Sequence, residues 1–444
     1  MEKKVEGIYD GFKELGTGKM FVLGLQHVFA MFGATVLVPL LTGLSVSVTL
    51  FCAGIATIWF FFITKKKVPI FLGSSFAFLG AFAAVAPKIG DAANMEMLPY
   101  TTLGVVFAGL GYVVLAILFG VFGPKKVMKL FPPVVTGPII ILIGLILAPV
   151  GISSASANWI LALIAIAIII SVNLFGKGMI KILPILCGIF GAYIVGVIVS
   201  LLSGNALFGL PWVDFTALKG ATIFAVPPFS DYSPLRFVFG QQVFDPAIGW
   251  PAVITFVVVA VAAMVEHIGD ICAIGATCGK NFIADPGLTR TLLGDGIGTS
   301  LAGAFGGPAN TTYSENTGVV ALTKVYDPKV MFIAACIAIV FSFINILDAF
   351  INTIPWSIIG GVSVVLYGMI SATGIRTIVE NKVDFKNMRN ILVMALILVC
   401  GLGFNATPLK IGSLSLGGLA VAAIVGVIVN AILPGKDYVF NDQV

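Results

Sequence analysis

Three acidic residues stand out because they lie within or beside long apolar runs. Glu266 and Asp270 end the run "WPAVITFVVVAVAAMVEHIGD", and Glu315 follows the polar residues 310–314. Only 10% of the chain is charged, whereas 59% is hydrophobic. A carboxylate in such surroundings is costly to ionise unless it faces a polar cavity or a partner. We therefore expect these three residues to bind a ligand or to move a proton.

The spacing of Glu266 and Asp270 predicts that they act as a pair. Residues four apart share one face of a helix, provided that the helix continues as far as Asp270. Two carboxylates so close cannot both ionise easily in a low-dielectric site, so one of them should hold a proton near neutral pH. The alternative is that they mark a helix end at a membrane surface. For Glu315 the alternative is a cap at the start of a helix.

The two histidines of the chain, His27 and His267, are weaker candidates. His27 lies in the apolar run "GLQHVFAMFGATVLVP", where it is either a satisfied core group or a participant in proton coupling. His267, Asp270, Cys272 and Cys278 lie close together in sequence, but their spacing fits no zinc pattern. We therefore predict neither a metal nor another cofactor.

The glycine-rich stretch "GDGIGTSLAG" from Gly294 resembles a phosphate-binding loop only superficially. No strand precedes it, and small residues are what close helix packing in a membrane requires. We predict that it is part of a packed helix and that ATP does not drive the protein.

The elements that position these residues are membrane-spanning helices. The mean hydropathy is +1.10, and apolar stretches long enough to cross a bilayer recur along the whole chain. Complete segments are predicted at about 20–43, 47–64, 101–123, 132–150, 157–175, 183–203, 249–268, 291–305, 331–352, 356–379, 389–405 and 414–433. Two interrupted segments, one starting at Val68 and one around Glu315, bring the number of crossings to about fourteen.

The positions of Lys and Arg support this count. With a cytoplasmic N-terminus, only Lys88, Lys219, Arg236 and Lys410 of the 25 Lys and Arg fall on the outer side. That bias is the positive-inside pattern, and it holds only if both interrupted segments cross. We therefore predict a multi-pass protein of the plasma or inner membrane, with both termini cytoplasmic.

The outer loop at 205–248 divides the chain into halves of about seven crossings, so the halves are inverted with respect to each other. Each half has its interrupted segment third in order, which points to the central site of a transporter. We predict that residues 74–78 and 311–313 form short strands, each feeding a half-helix that opens at the midplane. Ser75 and Ser314 are predicted caps.

The residues alone thus predict a secondary transporter that is all-α apart from the two strands. One rival is an anion channel or exchanger of the same architecture, which should have a neutral or basic site. Another is a membrane-embedded hydrolase using Glu266, His267 and Asp270, although no HExxH-type spacing is present.

Several motifs resemble the nucleobase–ascorbate transporter family, in particular its bacterial uracil permeases. They are "LQHVFAMFGATVLVP", "FLGSSFAF", "EHIGD", "DPGLTRTLLGDGIGT", "NTTYSENTGVVALTKVY" and "GGVSVVLYGMI", and they occur in order over nearly the whole chain. The resemblance implies a seven-plus-seven inverted repeat, proton symport and homodimers, with no nucleic-acid partner. It also implies a core domain (residues 1–130 and 249–353), a gate domain (131–204 and 354–435) and a cytoplasmic tail (436–444).

The resemblance also implies roles for particular residues. Glu266 and Glu315 would accept the N–H groups of a base such as uracil, while backbone N–H groups at Phe76 and Ser314 would satisfy its carbonyls. Phe76, Tyr313, Tyr367 and Ala34 would form the walls, and Glu266, Asp270 and His27 would couple the proton.

Two positions differ from the usual uracil permease pattern, which has His in place of Asp270 and Gly in place of Ser314. Purine-carrying relatives often have Asp at position 270, whereas xanthine and urate carriers commonly have Gln in place of Glu315. Uracil is therefore the expected substrate, and xanthine is the alternative.

Overall fold

The computed structural model describes residues 6–87, 93–123, 126–127, 129–178, 180–203, 212–412 and 414–435. The predicted cytoplasmic tail at 436–444 lies outside the described residues.

The first half of the chain consists of helices and one broken segment. The helices are α1 (Gly11–Thr42), α2 (Val46–Ile63), α3 (Leu79–Val85), α4 (Leu98–Phe122), α5 (Pro133–Ala155), α6 (Trp159–Phe175) and α7 (Pro184–Ser203). Strand β1 (Leu72–Ser74) and a 3-10 turn (Phe76–Phe78) precede α3. A short turn at Ile180–Ile182 joins α6 to α7, and short helical turns at Thr216–Leu218, Phe229–Tyr232 and Leu235–Val238 lie between the halves.

The second half repeats this order. Its helices are α8 (Pro246–Cys278), α9 (Leu288–Ala304), α10 (Ser314–Thr323), α11 (Lys329–Ser342), α12 (Asn345–Ile351), α13 (Trp356–Glu380), α14 (Met388–Ala406) and α15 (Gly418–Ile432). Strand β2 (Asn310–Thr312) precedes α10, a π-turn (Ile283–Gly287) precedes α9, and β3 (Leu409–Ile411) pairs with β4 (Leu414–Leu416) before α15.

Every predicted crossing corresponds to a helix or to a broken segment. Among the described residues, eight helices are long and apolar enough to cross a bilayer alone, and four shorter apolar helices accompany them. The prediction of an all-α, fourteen-span membrane fold is confirmed. One predicted span, 331–352, is divided into α11 and α12, and the last one begins at Gly418 because residues 414–416 form β4.

The two broken segments meet through their strands. β1 and β2 pair antiparallel, with Leu72 opposite Thr312 and Ser74 opposite Asn310. An antiparallel meeting of the two segments is what an inverted arrangement of the halves would produce.

Local details of the broken segments differ from the prediction. The first strand ends at Ser74, and residues 76–78 are a 3-10 turn because their backbone already follows the half-helix. Ser75 stands at the predicted N-cap position of the 3-10 turn, but its side chain makes no cap bond. The prediction is wrong for Ser314, which is the first residue of α10, with Tyr313 at the N-cap position.

The long helices pack in two groups. Helices α1, α2, α4, α8, α9 and α11 pack around the broken segments, and α5, α6, α7, α13, α14 and α15 pack with one another. In the first group α4 and α9 cross closely, since a side chain at Gly109 would clash with the backbone of Gly296. The glycine-rich stretch from Gly294 is therefore part of a packed helix, as predicted. The two groups meet mainly where α8 packs against α15, α5 and β4, and where α1 packs against α7.

Candidate functional site

The site is built where the two strands end. The last bonds of the ladder run from Ser75 N–H to Ala309 O, at 2.8 Å, and from Tyr313 N–H to Phe71 O, at 3.0 Å. The next backbone N–H groups, those of Phe76 and Ser314, begin a 3-10 turn and a helix, so they have no acceptor within their own first turns. Among the described residues neither N–H group has an acceptor, so two donors lie at equivalent positions of the two halves.

Helix α8 places its carboxylates beside this crossing. It continues without interruption to Cys278, so Glu266 and Asp270 share one face, and the interpretation of Asp270 as a helix end is wrong. Thr312 of β2 donates its hydroxyl to Asp270 Oδ2 at 2.6 Å. The half-helix α3 is fixed to α8 by Phe78 and Phe82, whose ring centroids lie 5.9 and 5.1 Å from that of Phe256.

Glu266 and Glu315 lie on packed neighbours, α8 and α10, and both are partly buried. Asp270 lies one helical turn beyond Glu266 on the same face of α8. The Glu315 carboxylate accepts from its own backbone N–H, and within the described part of the chain no other residue donates a hydrogen bond to the side chain of either glutamate. The structure thus brings together the three acidic residues that the sequence singled out, and it leaves the two glutamates free to accept from a ligand.

The residues predicted to form the walls of the site differ in their surroundings. Phe76 and Tyr367 of α13 form an edge-on ring pair with centroids 6.1 Å apart, and Ala34 of α1 is buried. Ser74 Oγ donates to Thr35 O at 3.2 Å, which holds β1 against α1 next to Ala34.

Tyr313 is directed into the protein. Its hydroxyl donates to Ser74 O at 2.9 Å and lies 3.2 Å from Thr35 Oγ1, and its ring packs over Gly73. The Tyr313 side chain therefore joins α1, β1 and β2. Ser314, by contrast, is exposed.

His27 is buried and is linked to the residue after Glu315. Asn316 Nδ2 lies 3.0 Å from His27 Nδ1 and donates to His27 O at 3.1 Å. The amide N–H₂ group can only donate, so Nδ1 acts as the acceptor and the neutral ring carries its proton on Nε2. Sequence reasoning did not single out Asn316, although it directly follows Glu315.

Sequence reasoning also missed Asp295, an acidic residue that pairs with His267, the neighbour of Glu266 in sequence. His267 Nδ1 and Asp295 Oδ2 lie 2.8 Å apart, and both side chains are fully buried. These two atoms are not aligned as in a good hydrogen bond. Neither His267 Nε2 nor Asp295 Oδ1 has a partner among the described residues. A lone Asp in an apolar helix was the available signal. The glycine-rich context of Asp295 directed attention to packing instead.

The predicted absence of a metal concerns the same region. Among the described residues, no three His, Cys, Asp or Glu side chains gather in a way that would hold a metal ion.

A bundle of membrane-crossing helices, two of them broken and joined at their strands around a polar site, is the architecture of a membrane transporter. Residues 18–410 match the model of a permease family. The chain is 38% identical to a uracil permease of Bacillus caldolyticus over 94% of this chain and 93% of the relative. It is 37% identical to a probable uracil permease of Pasteurella multocida over 95% of each chain. It is also 38% identical to a putative pyrimidine permease of Escherichia coli over 94% of this chain and 89% of the relative. The protein belongs to this permease family, the nucleobase–ascorbate transporters, and is a multi-pass membrane permease.

Solved structures show the same fold. The transmembrane domain of the cyanobacterial bicarbonate transporter BicA superposes with a TM-score of 0.62 and 16% identity, over 96% of this chain and 99% of that one. The murine anion transporter Solute Carrier 26 family member A9 gives a TM-score of 0.61 and 9% identity, over 93% of this chain and 67% of that one. At such identities the likeness concerns the fold alone.

Proposed function

We propose that the protein is a proton-coupled symporter that imports uracil. The observation that carries this proposal is the position of Glu266 and Glu315. They are neighbouring and partly buried, they lack hydrogen bonds from other described residues, and they lie beside the free N–H groups of Phe76 and Ser314.

The chemistry of this arrangement suits a flat, neutral ring with alternating donors and acceptors. Each carboxylate accepts an N–H group of the base, and the two backbone N–H groups donate to its carbonyl oxygens. Phe76 and Tyr367 supply aromatic walls, and Ala34 lies beside the end of β1, where its carbonyl oxygen is 3.5 Å from Ser74 Oγ. A ring that lacked a matching N–H group would leave a buried carboxylate without a partner, a mismatch that gives strong discrimination.

The relatives support the choice of base. Two of the three relatives described above are named as uracil permeases, and the third is named as a pyrimidine permease. Glu315 also supports uracil, because xanthine and urate carriers of the family commonly have Gln at this position.

Proton coupling is assigned to Glu266 and Asp270. Their charges repel at close range, so one proton shared between them relieves the repulsion, and binding of the base to Glu266 changes which residue holds it. Thr312 fixes Asp270 in this pair. His27 takes part through Asn316, which connects it to the half-helix of Glu315.

Transport then requires that the two helix groups move against each other. We propose that the group around the broken segments is the core domain, which carries the base, and that the other group is the gate. Both termini are cytoplasmic in this proposal, and the protein acts as a homodimer.

Two other substrates fit the site less well than uracil. Asp270 favours xanthine as a second candidate, since purine carriers of the family often have Asp there. The fold is shared with anion transporters, but two glutamates beside the free N–H groups oppose an anion through their charge.

The test is uptake of radiolabelled uracil into proteoliposomes, with and without an inward proton gradient, in competition with excess xanthine. We expect uptake that depends on the gradient and that xanthine leaves unchanged. Xanthine uptake or strong competition would assign the protein to purines. A lack of uptake of either base would refute the proposal.

A further inference from the structure

A cavity of about 340 Å³ lies away from the two glutamates, at the end of α1 opposite to the N-terminus. It is surrounded by the C-terminal end of α1, the N-terminal end of α2, helix α12, the start of α13 and the connecting residues 225–228. The Lys and Arg pattern places this end of α1 on the outer side of the membrane.

The polar side of the cavity is rich in acceptors. Asp348 is fixed by Ser47 N–H, 3.1 Å from Oδ1, and by Asn352 Nδ2, 3.2 Å from Oδ2. Asn345 Nδ2 donates to Thr222 Oγ1 at 3.2 Å. Both carboxamides line the cavity, and among the described residues no donor reaches either carboxamide oxygen, so both oxygens can accept from a ligand.

The other side of the cavity offers aromatic surface. Trp356 is 37% exposed, and Tyr232 lines the cavity from the connecting segment. Among the described residues that line the cavity there is no Lys or Arg. Acceptors together with aromatic faces and no cation fit a flat neutral ring that carries N–H groups, and they do not fit an anion.

The cavity is connected to the central site by two helices. Helix α1 carries Ala34 at the central site and Pro39 at the cavity, five residues or about 7.5 Å further along its axis. Helix α13 begins with Trp356 at the cavity and carries Tyr367 at the central site. A base in the cavity is therefore at most a few helical turns from Glu266 and Glu315.

We propose that this cavity is an outer nucleobase site, which holds the base on its way to the central site. The inference rests on the proposed function. Trp356 stacks on the ring, and the carboxamide oxygens of Asn345 and Asn352 accept its N–H groups. Asp348 positions Asn352 and the start of α2.

The first test compares uptake kinetics of uracil for Asn352→Ala, Trp356→Leu and Trp356→Phe with the wild type. We expect KM to rise about fivefold to tenfold in the first two variants, because the loss of one stacked or hydrogen-bonded contact costs roughly one power of ten in affinity. Vmax should change less than about twofold, because the central site is intact. Trp356→Phe should restore most of the affinity. The matched control is Asn381→Ala, at the opposite end of α13.

The second test separates the outer site from the central one. Purified Glu315→Gln protein should retain weak binding of labelled uracil, and the double variant with Asn352→Ala should lose it. Unchanged KM in both Asn352→Ala and Trp356→Leu, with thermal melting like that of the wild type, would overturn the outer site. The outer site would also be overturned if the protein bound labelled sodium but not uracil, and if Asn352→Ala abolished that sodium binding. Wild-type protein that takes up no uracil would instead overturn the proposed function, and the outer site would then be judged by the binding experiment alone.

Discussion

Thr312 donates its hydroxyl to Asp270 at 2.6 Å and so ties strand β2 to the helix that carries Glu266. The bond connects the two broken segments to the carboxylate pair, because β2 also pairs with β1. Any movement of the strands relative to α8 must stretch or break it.

The first prediction concerns this bond. Thr312→Val removes the donor and keeps the shape, and a hydrogen bond to a charged group is worth about 1.5–3 kcal/mol. We expect gradient-driven uptake to fall about tenfold or more, while Thr312→Ser retains most of it. Equal uptake in the Val variant and the wild type would show that Asp270 does not depend on Thr312.

The second prediction concerns His27, whose Nδ1 accepts from Asn316. An Asn side chain places an acceptor oxygen near the position of Nδ1, so His27→Asn should retain folding and most uptake. His27→Leu leaves the Asn316 amide without this acceptor and should lower both. Uptake and thermal melting are measured together. A stable His27→Asn protein without gradient-driven uptake would show that the imidazole ring itself carries the proton.

The third prediction concerns the close crossing of α4 and α9. Gly109→Ala forces these helices apart, because its Cβ would meet the backbone of Gly296 and Ser300. Overpacking of this kind typically costs 1–3 kcal/mol, about the difference between a stable and a marginal protein. The control is Gly403→Ala in α14, where no atom lies within 4 Å. We expect a lower melting temperature only for Gly109→Ala, and equal melting of both variants would contradict the close packing.

The fourth prediction concerns the pH dependence of uptake. The hydrogen bond from Lys13 and the nearby charge of Lys329 lower the pKa of Asp10 below its ordinary value of 3.8. Because its pKa is lowered, the ion pairs of Asp10 are fully formed at pH values above its ordinary pKa. They are lost only as the pH falls through the lowered pKa. Asp10 therefore stays charged between pH 5 and pH 8, so Asp10→Asn should leave the pH profile of uptake unchanged. A shifted profile would place part of the coupling at the N-terminal end of α1.

The sequence was sufficient for the number of spans and for the position of the two breaks. The polar residues 310–314 interrupt an apolar pattern, and the loop charges make sense only if both broken segments cross. The first strand was placed several residues too late, since an extended residue and a 3-10 residue of the same type look alike in a short apolar run, and the second was off by one residue. Ser314 was wrong as a cap because the helix begins one residue earlier than expected, and Ser75 has the extended backbone of a cap but makes no side-chain cap bond.

The sequence also singled out the carboxylates of the site but not all of their partners. Glu266, Asp270 and Glu315 stand out by charge alone. The contact of Asp270 with Thr312, that of Asn316 with His27, and the pairing of His267 with Asp295 join residues that are distant in sequence. Only the packed fold brings these residues together.

The central claim is that Glu266 and Glu315 hold the base, and the most direct test is uracil binding to purified protein by titration calorimetry. Glu315→Gln and Glu266→Gln replace an acceptor by a group that also donates, and the control is Glu380→Gln, an exposed glutamate paired with Arg376. We expect affinity to fall at least about a hundredfold in both site variants, since charge-assisted hydrogen bonds are worth about 1.5–3 kcal/mol and the mismatch adds to their loss. The control should bind like the wild type. Wild-type affinity in both site variants, with normal folding, would contradict the account.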